Sequence, residues 1–321
     1  MPENSLAAAA PRAGSQRSTS RKRWWKENAQ LYLIMSPVLI QILIFSYIPL
    51  YGILIAFQNY YPGRPFLSFD GTTEWVGLKH FSDFIQSPMF GRLFGNTLWL
   101  SFLNLAFGFL CPIVFALLLN ELKDGFYKKF VQTASYMPYF ISTVVVAGMV
   151  LSFIGVDGIV NLFLGLFGVA PKAYNADPNA FPTVYTVTNI WKSFGWGSIL
   201  YLSTITAIDP GIYESANIDG ANRWERIRYI TLPCMKSIIM IQLIFAVGNL
   251  LISNTELILL LYNQATYRTS DVIGTFVYRD GLRGGRFSYG TAVNTFVSMI
   301  NFVLLIIANK VSTKIADFGL W

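Results

Sequence analysis

The feature that most limits the fold is a series of long apolar stretches separated by polar loops. Each stretch holds about twenty or more mostly apolar residues, enough for a helix to cross about 30 Å of hydrocarbon. Six spans are predicted, at about residues 31–57, 93–119, 133–153, 184–208, 237–261 and 291–308. The predicted fold is therefore an all-α integral membrane protein with six transmembrane helices, and its membrane domain covers residues 31–316.

The composition supports a membrane protein and excludes several other classes. Hydrophobic residues make up 54% of the 321 residues and charged residues only 13%, which is too apolar for an ordinary soluble domain. The net charge of +7 does not indicate a nucleic-acid partner, because the basic residues are scattered among loops. Cys111, Cys234 and the single histidine, His80, have no spacing or neighbours that would form a disulfide framework or a metal site.

The distribution of Lys and Arg predicts the orientation. Residues 1–30 are expected to form a basic, disordered cytoplasmic tail with Trp24 and Trp25 at the membrane interface. This tail is expected to carry no cleavable signal, since the apolar run after it is too long for a signal peptide. The loops on the same side then collect Lys123, Lys128, Lys129, Arg223, Arg226, Arg228, Lys236, Lys310 and Lys314. The positive-inside rule therefore predicts that both termini are cytoplasmic.

A polar loop at residues 209–233 separates the fourth and fifth predicted spans and falls on the cytoplasmic side. Asp209 suits a helix N-cap, and Pro210 suits the first helical position, where no N–H is needed. Gly220 can adopt the left-handed conformation that ends a helix. A second helix is predicted to follow and to be broken by Pro233 just before the next span. Such a pair of short helices is suited to docking into a groove on another protein.

The loop contains Glu214-Ser215-Ala216, then Asp219-Gly220-Ala221, then Ile230, Leu232 and Pro233. This order resembles the EAA loop of permease subunits in binding-protein-dependent ABC importers, and the spacing agrees over about twenty residues. Ser215 departs from the alanine usual in that family, and Ile227 departs from a common aromatic. The resemblance implies a type I ABC importer permease fold, in which the loop is a cytoplasmic coupling helix held in a cleft of an ATPase subunit. The residues assigned to this role are Tyr213, Glu214, Ser215, Ala216, Asp219, Gly220, Ala221, Arg223, Trp224, Leu232 and Pro233. The alternative is an amphipathic hairpin that lies on anionic headgroups.

The resemblance extends beyond the loop, to residues 191–196, 260–263 and 270–274. These segments look like the branch of the family that imports oligosaccharides, including the LplB-like and alginate permeases. That branch implies a bacterial inner-membrane protein that works by alternating access. The implied partners are a second, homologous permease subunit in a heterodimer, two ATP-binding subunits, an extracytoplasmic solute-binding protein, a saccharide substrate and membrane lipid.

No phosphate-binding loop of the form G-x-x-x-x-G-K-[ST] occurs in the sequence. The chain is therefore expected to be no enzyme and to hold no cofactor, with ATP and Mg bound by the partner ATPase subunits. A membrane enzyme would need a cluster of carboxylates, His or Cys near a membrane face, and none is present. A secondary transporter would show an internal repeat and a pair of titrating groups within the membrane. The sequence shows no convincing repeat, and Glu256 alone is a poor proton relay.

Polar and interfacial side chains within the spans are candidates for a substrate path, because a lipid-facing surface disfavours them. The candidates are Asn96, Asn104, Asn189, Trp191, Lys192, Trp196, Asn249, Asn254, Glu256 and Asn294. Gln242 is a further hydrogen-bonding residue within a span. The alternative for the amides is hydrogen bonding between helices, and the alternative for the tryptophans is anchoring at the interface.

The last predicted outer loop carries four arginines, which the positive-inside rule disfavours on that side of the membrane. Their placement therefore indicates a function. They are Arg268, Arg279, Arg283 and Arg286. Guanidinium groups pair well with carboxylates, so they fit an acidic saccharide such as a uronate oligomer, or acidic patches on the solute-binding protein. A neutral oligosaccharide or another solute stays open, and so does a purely connecting role for the outer loops.

Overall fold

The computed structural model describes the backbone of residues 21–66, 73–316 and 318–321, and side chains from residue 28 to 314 and from 318 to 321 within those ranges. The described part divides into two compact units, which meet between Gly52 and Ile53. Its regular structure is helical, apart from one antiparallel bridge between Gln58 and Trp75. Residues 1–20 of the predicted tail lie outside the described residues.

The described residues of the first unit are helical. Helix α1 covers Arg21–Ile42, a π-helical turn covers Leu43–Tyr47, and a 3₁₀ helix covers Ile48–Phe57. Residues 21–30 of the predicted tail are therefore helical rather than disordered. They adjoin an apolar helix that supplies the nucleus, and extending an existing helix is far less costly than starting one.

The second unit holds the remaining helices. They are α2 (Lys79–Ile85), α3 (Phe90–Leu103), α4 (Leu110–Asn120), α5 (Phe126–Phe140), α6 (Thr143–Phe153), α7 (Ile159–Gly165), α8 (Phe181–Thr206), α9 (Pro210–Ile218), α10 (Arg223–Arg226), α11 (Leu232–Gly248), α12 (Thr255–Leu261), α13 (Tyr267–Ser270), α14 (Ile273–Phe276) and α15 (Phe287–Ala316). Single π-helical turns occur at Asn104–Gly108, Ile227–Thr231 and Val277–Arg283, and 3₁₀ turns at Tyr174–Ala176 and Gln264–Thr266.

Four helical runs in the described part are long and apolar enough to cross a membrane: Asn28–Phe57, Phe90–Asn120, Arg223–Gly248 and Phe287–Lys314. A fifth arises if α5 and α6, which meet at an angle of 101°, together form one span. Helix α8 is 26 residues long and coincides with the fourth predicted span, but is not among these runs. The count of six stays a prediction.

The predicted span 133–153 is broken in the structure. Helix α5 ends where the N–H of Ile141 donates to the carbonyl of Pro138 at 3.2 Å. Ile141 and Ser142 then take extended backbone conformations, with ψ angles of 135° and 139°. The ammonium of Lys192 donates to the hydroxyl of Thr143 at 2.8 Å, which fixes the break against α8.

The predicted span 237–261 also differs, because α11 ends at Gly248 and α12 begins only at Thr255. The side chain of Asn254 accepts a hydrogen bond from the N–H of Leu257 at 3.2 Å and so caps α12. Asn and Ser side chains compete with helical backbone bonds, which favours a non-helical segment here. The single helix expected from the apolar composition is therefore two helices with a polar stretch between them.

The core lies along α8, which packs against α4, α5 and α11. At the crossing with α5, a Cβ on Gly195 would lie 2.0 Å from the carbonyl oxygen of Ser135. Only glycine permits this approach, which is typical of small residues between membrane helices. At one end of the bundle, Tyr201 and Ile205 of α8 pack with Met235 of α11 in a buried cluster. This contact sets the 209–233 loop directly beneath the spans that it joins.

Candidate functional site

The first half of the 209–233 loop is helix α9, which begins and ends as predicted. Oδ1 of Asp209 accepts a hydrogen bond from the N–H of Gly211 at 2.9 Å, and Pro210 occupies the first turn. At the other end Gly220 has a φ of +78°. The N–H of Ala221 then donates to the carbonyl of Ala216 at 2.9 Å and closes the helix.

The second half of the loop begins with a reciprocal cap. Asn222 Oδ1 accepts from the N–H of Glu225 at 3.0 Å, and Glu225 Oε2 accepts from the N–H of Asn222 at 2.7 Å. This capping box satisfies backbone donors at the start of α10 and makes the turn rigid. The Asn-x-x-Glu spacing in the sequence would have located this cap, but Asn222 and Glu225 are not among the predicted coupling residues.

The prediction that Pro233 breaks the second helix just before the next span is wrong. The residues from Arg223 to Gly248 form one continuous helical run, with a π-helical turn at Ile227–Thr231. Pro233 lies in the first turn of α11, directly after this wider turn. Its missing N–H is tolerated there because the π-helical turn has already shifted the backbone hydrogen bonds. The loop is thus joined rigidly to the membrane helix.

Side-chain bonds hold the two halves of the loop together. The hydroxyls of Tyr213 and Thr231 are hydrogen-bonded at 2.9 Å, and Thr231 is buried. Arg226 donates to the side-chain oxygen of Asn217. The α9 helix is therefore tied to the turn that leads into α11, so that a force on α9 acts on the membrane helix.

The outward face of the loop is apolar at several points. Ile218 is 87% exposed and Trp224 is 67% exposed, and Tyr229 is exposed as well. The predicted Glu214, Ser215, Asp219 and Arg223 are also exposed, whereas Ala216 and Ala221 are half-buried. Exposed large apolar side chains of this kind are suited to contact with a partner protein or with a membrane surface.

A second candidate site is a polar cavity of about 630 Å³ inside the bundle. It is bounded by α8, α11, the π-helical turn between α3 and α4, and the non-helical stretch 249–254. Its polar lining consists of Ser101, Asn104, Tyr185, Asn189, Ser193, Tyr201, Gln242, Asn249, Ser253 and Asn254. None of its described lining side chains carries a charge.

Three amides in this cavity form an asparagine cluster. Nδ2 of Asn254 donates to Oδ1 of Asn189 at 3.0 Å, and Nδ2 of Asn189 donates to Oδ1 of Asn104 at 3.0 Å. Nδ2 of Asn104 donates to the carbonyl of Leu100 at 3.1 Å. A side-chain amide has two donor hydrogens and two acceptor lone pairs. The cluster therefore joins three helical segments and keeps hydrogen-bonding capacity towards the cavity.

Four predicted path residues, Asn104, Asn189, Asn249 and Asn254, line the polar cavity. The serines and tyrosines beside them are missing from the prediction. Tyr185, Asn189, Ser193, Gly197 and Tyr201 follow one another at intervals of four along α8 and line the cavity together. This spacing is the signal that would have identified them, because residues four apart share a helix face.

The other six predicted path residues lie elsewhere. Asn96 donates to the carbonyl of Asp271 at 2.9 Å, and Lys192 binds Thr143 as described above. Trp196 stacks on Tyr139 with ring centroids 4.8 Å apart. Trp191 lies in an apolar groove between α4 and α8. Glu256 is exposed at the start of α12. Asn294 lines a separate cavity of about 420 Å³.

The predicted outer loop at residues 262–290 contains a buried carboxylate that the prediction missed. Asp271 is 0% exposed and receives both Nη1 and Nη2 of Arg279, at 3.1 and 3.2 Å. Arg92 Nη2 lies 3.3 Å from the same carboxylate, and the Thr275 hydroxyl donates to it at 2.9 Å. Burial opposes the charge of Arg279, but the hydrogen bonds and attraction of Asp271 outweigh it and raise the Arg279 pKa. We call these four residues the Asp271 cluster.

The predicted partner-binding arginines therefore differ in their environment. Arg279 is held internally by Asp271 rather than offered to a partner, because a buried carboxylate needs a paired cation. Arg268, Arg283 and Arg286 are exposed. Arg268 donates to the side chain of Asn179 at 2.6 Å, and Arg286 lies 4.2 Å above the ring of Tyr289.

Known proteins resemble this chain over most of its length. Residues 108–317 match the family described as binding-protein-dependent transport system inner membrane component. The polygalacturonan/rhamnogalacturonan transport system permease protein YteP of Bacillus subtilis (strain 168) is 41% identical, with 91% of this chain and 90% of the relative covered. Protein LplB of the same organism is 39% identical, with 92% of each chain covered.

A solved structure shares the fold. It is a bacterial ABC transporter involved in the import of the acidic polysaccharide alginate, with a chain 40% identical to this one. The TM-score is 0.82, and the match covers 92% of this chain and 98% of that chain. The protein therefore belongs to the family of binding-protein-dependent transport system inner membrane components, and it is a permease with the fold of ABC importers.

Proposed function

We propose that this chain forms half of the translocation path of an ATP-driven saccharide importer. A second, homologous permease subunit supplies the other half, and an extracytoplasmic solute-binding protein delivers the substrate. The proposal is supported by the relatives, which include a polygalacturonan/rhamnogalacturonan permease and an alginate transporter in complex with its alginate-bound periplasmic protein. In this proposal both termini and the 209–233 loop lie in the cytoplasm, as the distribution of Lys and Arg indicates.

The observation that carries the proposal is the construction of the 209–233 loop. It is closed by its own caps, tied to α11 through Tyr213 and Thr231, and exposes Ile218 and Trp224. A well-ordered projection that exposes apolar side chains among polar ones fits a cleft on an ATP-binding subunit. Two such subunits bind ATP and Mg, this chain holds neither, and closure of the subunits moves the loop and the attached spans.

The substrate we propose is an acidic oligosaccharide. The polar cavity offers amides and hydroxyls without charge, which suits the hydroxyl groups of a sugar and does not trap its carboxylates. Exposed arginines in the outer loop, Arg268, Arg283 and Arg286, suit either the carboxylates of an arriving uronate or acidic groups on the binding protein. The cavity then opens alternately to the two sides of the membrane as the spans move.

The test is to uncouple ATP hydrolysis from substrate uptake. We expect Gly220→Pro to abolish uptake in proteoliposomes that contain the complete importer, while the ATPase activity loses its stimulation by substrate. Gly220 has a φ of +78°, which the proline ring forbids. Gly220→Asn is the matched control, because asparagine tolerates that conformation, and it should retain most of the uptake.

Uptake is to be measured with a labelled uronate oligosaccharide and with a neutral oligosaccharide of equal length. Normal coupled uptake by Gly220→Pro would contradict the role of the loop. Preference for the neutral sugar, with coupling intact, would contradict the acidic substrate and leave the importer mechanism in place.

A further inference from the structure

Helix α7 and the turn after it have an inverted pattern of polarity. The polar side chain, Asn161, is only 4% exposed and points into the protein. Its amide donates to the carbonyls of Gly155 and Lys172 at 2.7 and 2.8 Å, and it accepts from the N–H of Lys172 at 3.0 Å. The opposite side is apolar and outward-facing, with Ile159, Leu162, Phe163, Leu166 and Phe167 exposed.

This outward face is too apolar for contact with water. Leu166 is 81% exposed, and burial of a side chain of this size is worth about 1.5–3 kcal/mol. No charged residue occurs from Gly158 to Pro171. Contiguous exposed patches of this kind mark contact with a membrane or a partner protein.

Helix α6, which precedes α7, lies within the predicted span 133–153 and also exposes apolar side chains. On α6, Val145, Met149 and Phe153 follow at intervals of four and are all exposed. The turn that joins α6 to α7 is tight, because the N–H of Gly158 donates to the carbonyl of Gly155 at 3.0 Å. Helix α7 therefore follows α6 after a short turn, and both helices expose apolar side chains.

Charged groups lie at both ends of the apolar segment. Asp157 precedes α7 and is exposed. Beyond it, the ammonium of Lys172 lies 2.5 Å from the carboxylate of Asp177. The ion pair lowers the pKa of Asp177 and raises that of Lys172, chiefly through their shared hydrogen bond, so both stay charged. Charge is therefore confined to the two ends of the segment, which suits ends among the polar headgroups and an apolar side among the lipid chains.

We propose that α7 lies in the plane of the membrane, with its apolar face among the lipid acyl chains just below the headgroups of the outer leaflet. The occupant of this surface is phospholipid, because α7 directly follows the predicted span 133–153 and the segment from Gly158 to Pro171 carries no charge. The choice of the outer leaflet rests on the proposed orientation of the chain, whereas contact with lipid does not.

The experiment uses spin labels on the complete importer in liposomes, in a chain whose two native cysteines are replaced by serine. One label is attached to Leu166→Cys on the apolar face, and the matched control is attached to Asp157→Cys at its polar end. We expect the label at 166 to collide more often with oxygen than with a water-soluble nickel complex, at a depth of about 5–10 Å. The control should show the reverse.

Two results would overturn the inference. Frequent collision of the label at 166 with the nickel complex would place α7 in water. Rare collision with both reagents would show that a protein covers it. Labelling of Lys172→Cys with a membrane-impermeant maleimide in oriented vesicles tests the leaflet separately, so a wrong orientation is distinguishable from a wrong environment.

Discussion

The 209–233 loop and the asparagine cluster are both polar regions in an apolar chain, but their hydrogen bonds span different distances along the sequence. In the loop, Asp209 bonds two residues ahead and Asn222 three residues ahead. In the cluster, Asn189 bonds partners 85 and 65 residues away. The loop is therefore shaped mainly by its own sequence, whereas the cluster exists only once the helices have packed.

The difference predicts which substitutions affect the whole bundle. Bonds between distant helices hold the packed structure together, and local caps hold only a short segment. Long-range sites should thus change global stability, and loop sites should change coupling with little change in stability.

The largest effect is expected at the Asp271 cluster, where the bonds join α3 to the outer loop. Asp271→Ala removes a buried carboxylate, whereas Arg279 is 32% exposed and keeps its contact with Asp280 at 3.4 Å. The expected loss is therefore about 2–3 kcal/mol, which is within the range for leaving buried hydrogen-bonding groups without their partner. We expect a clearly lower midpoint of thermal unfolding for the purified protein in detergent. Asp124→Ala is the control, since Asp124 pairs with Lys128 on the surface and its loss should not shift the midpoint resolvably. Equal unfolding midpoints for the two variants would contradict the view that long-range bonds determine the stability of the bundle.

A smaller loss of stability is expected from the asparagine cluster. Asn189→Leu removes the bonds to both Asn104 and Asn254, and such bonds between membrane helices are worth about 0.6 kcal/mol each. The expected loss is about 1–2 kcal/mol, measured by thermal unfolding of the same preparation. An unchanged unfolding midpoint would show that the cluster does not hold the helices together.

The same contrast explains how far the sequence predicts this structure. Asp209, Pro210 and Gly220 identify helix α9 because each acts on its own backbone. The apolar runs likewise predict helices, since hydrophobic length is a local property.

Breaks within the spans could not be found in this way. Apolar composition is the same for one helix or for two. The cap that Asn254 provides for α12 is local, but its bonds to Asn189 and Tyr185 join it to another helix and cannot be inferred from the apolar run. The pairing of Arg279 with Asp271 was missed because the sequence does not show that Asp271 becomes buried. The hydrogen bond from Asn96 to the carbonyl of Asp271 could not be foreseen for the same reason.

Within the loop, the contact between Tyr213 and Thr231 is the one that joins its two halves. Tyr213→Phe removes this hydrogen bond, at a cost of about 0.5–1.5 kcal/mol to the local structure. We expect fewer substrate molecules transported per ATP hydrolysed, with an unchanged unfolding midpoint. Ser215→Ala is the control, because that hydroxyl bonds only to Gly211 in its own helix. A lowered unfolding midpoint with normal coupling would assign Tyr213 to stability instead.

The smallest effect on stability, and the sharpest test of the cavity, is expected at Asn249. Its amide donates to the carbonyl of Phe245 in the preceding turn, at 2.9 Å, so it joins no two helices although it lines the same cavity as Asn189. Asn249→Leu should leave the unfolding midpoint unchanged. If the cavity conducts the sugar, loss of one hydrogen bond of about 0.5–1.5 kcal/mol weakens the apparent affinity for uptake about two- to tenfold. Unchanged uptake in Asn249→Leu, together with reduced stability in Asn189→Leu, would show that these amides hold helices together and do not contact the substrate.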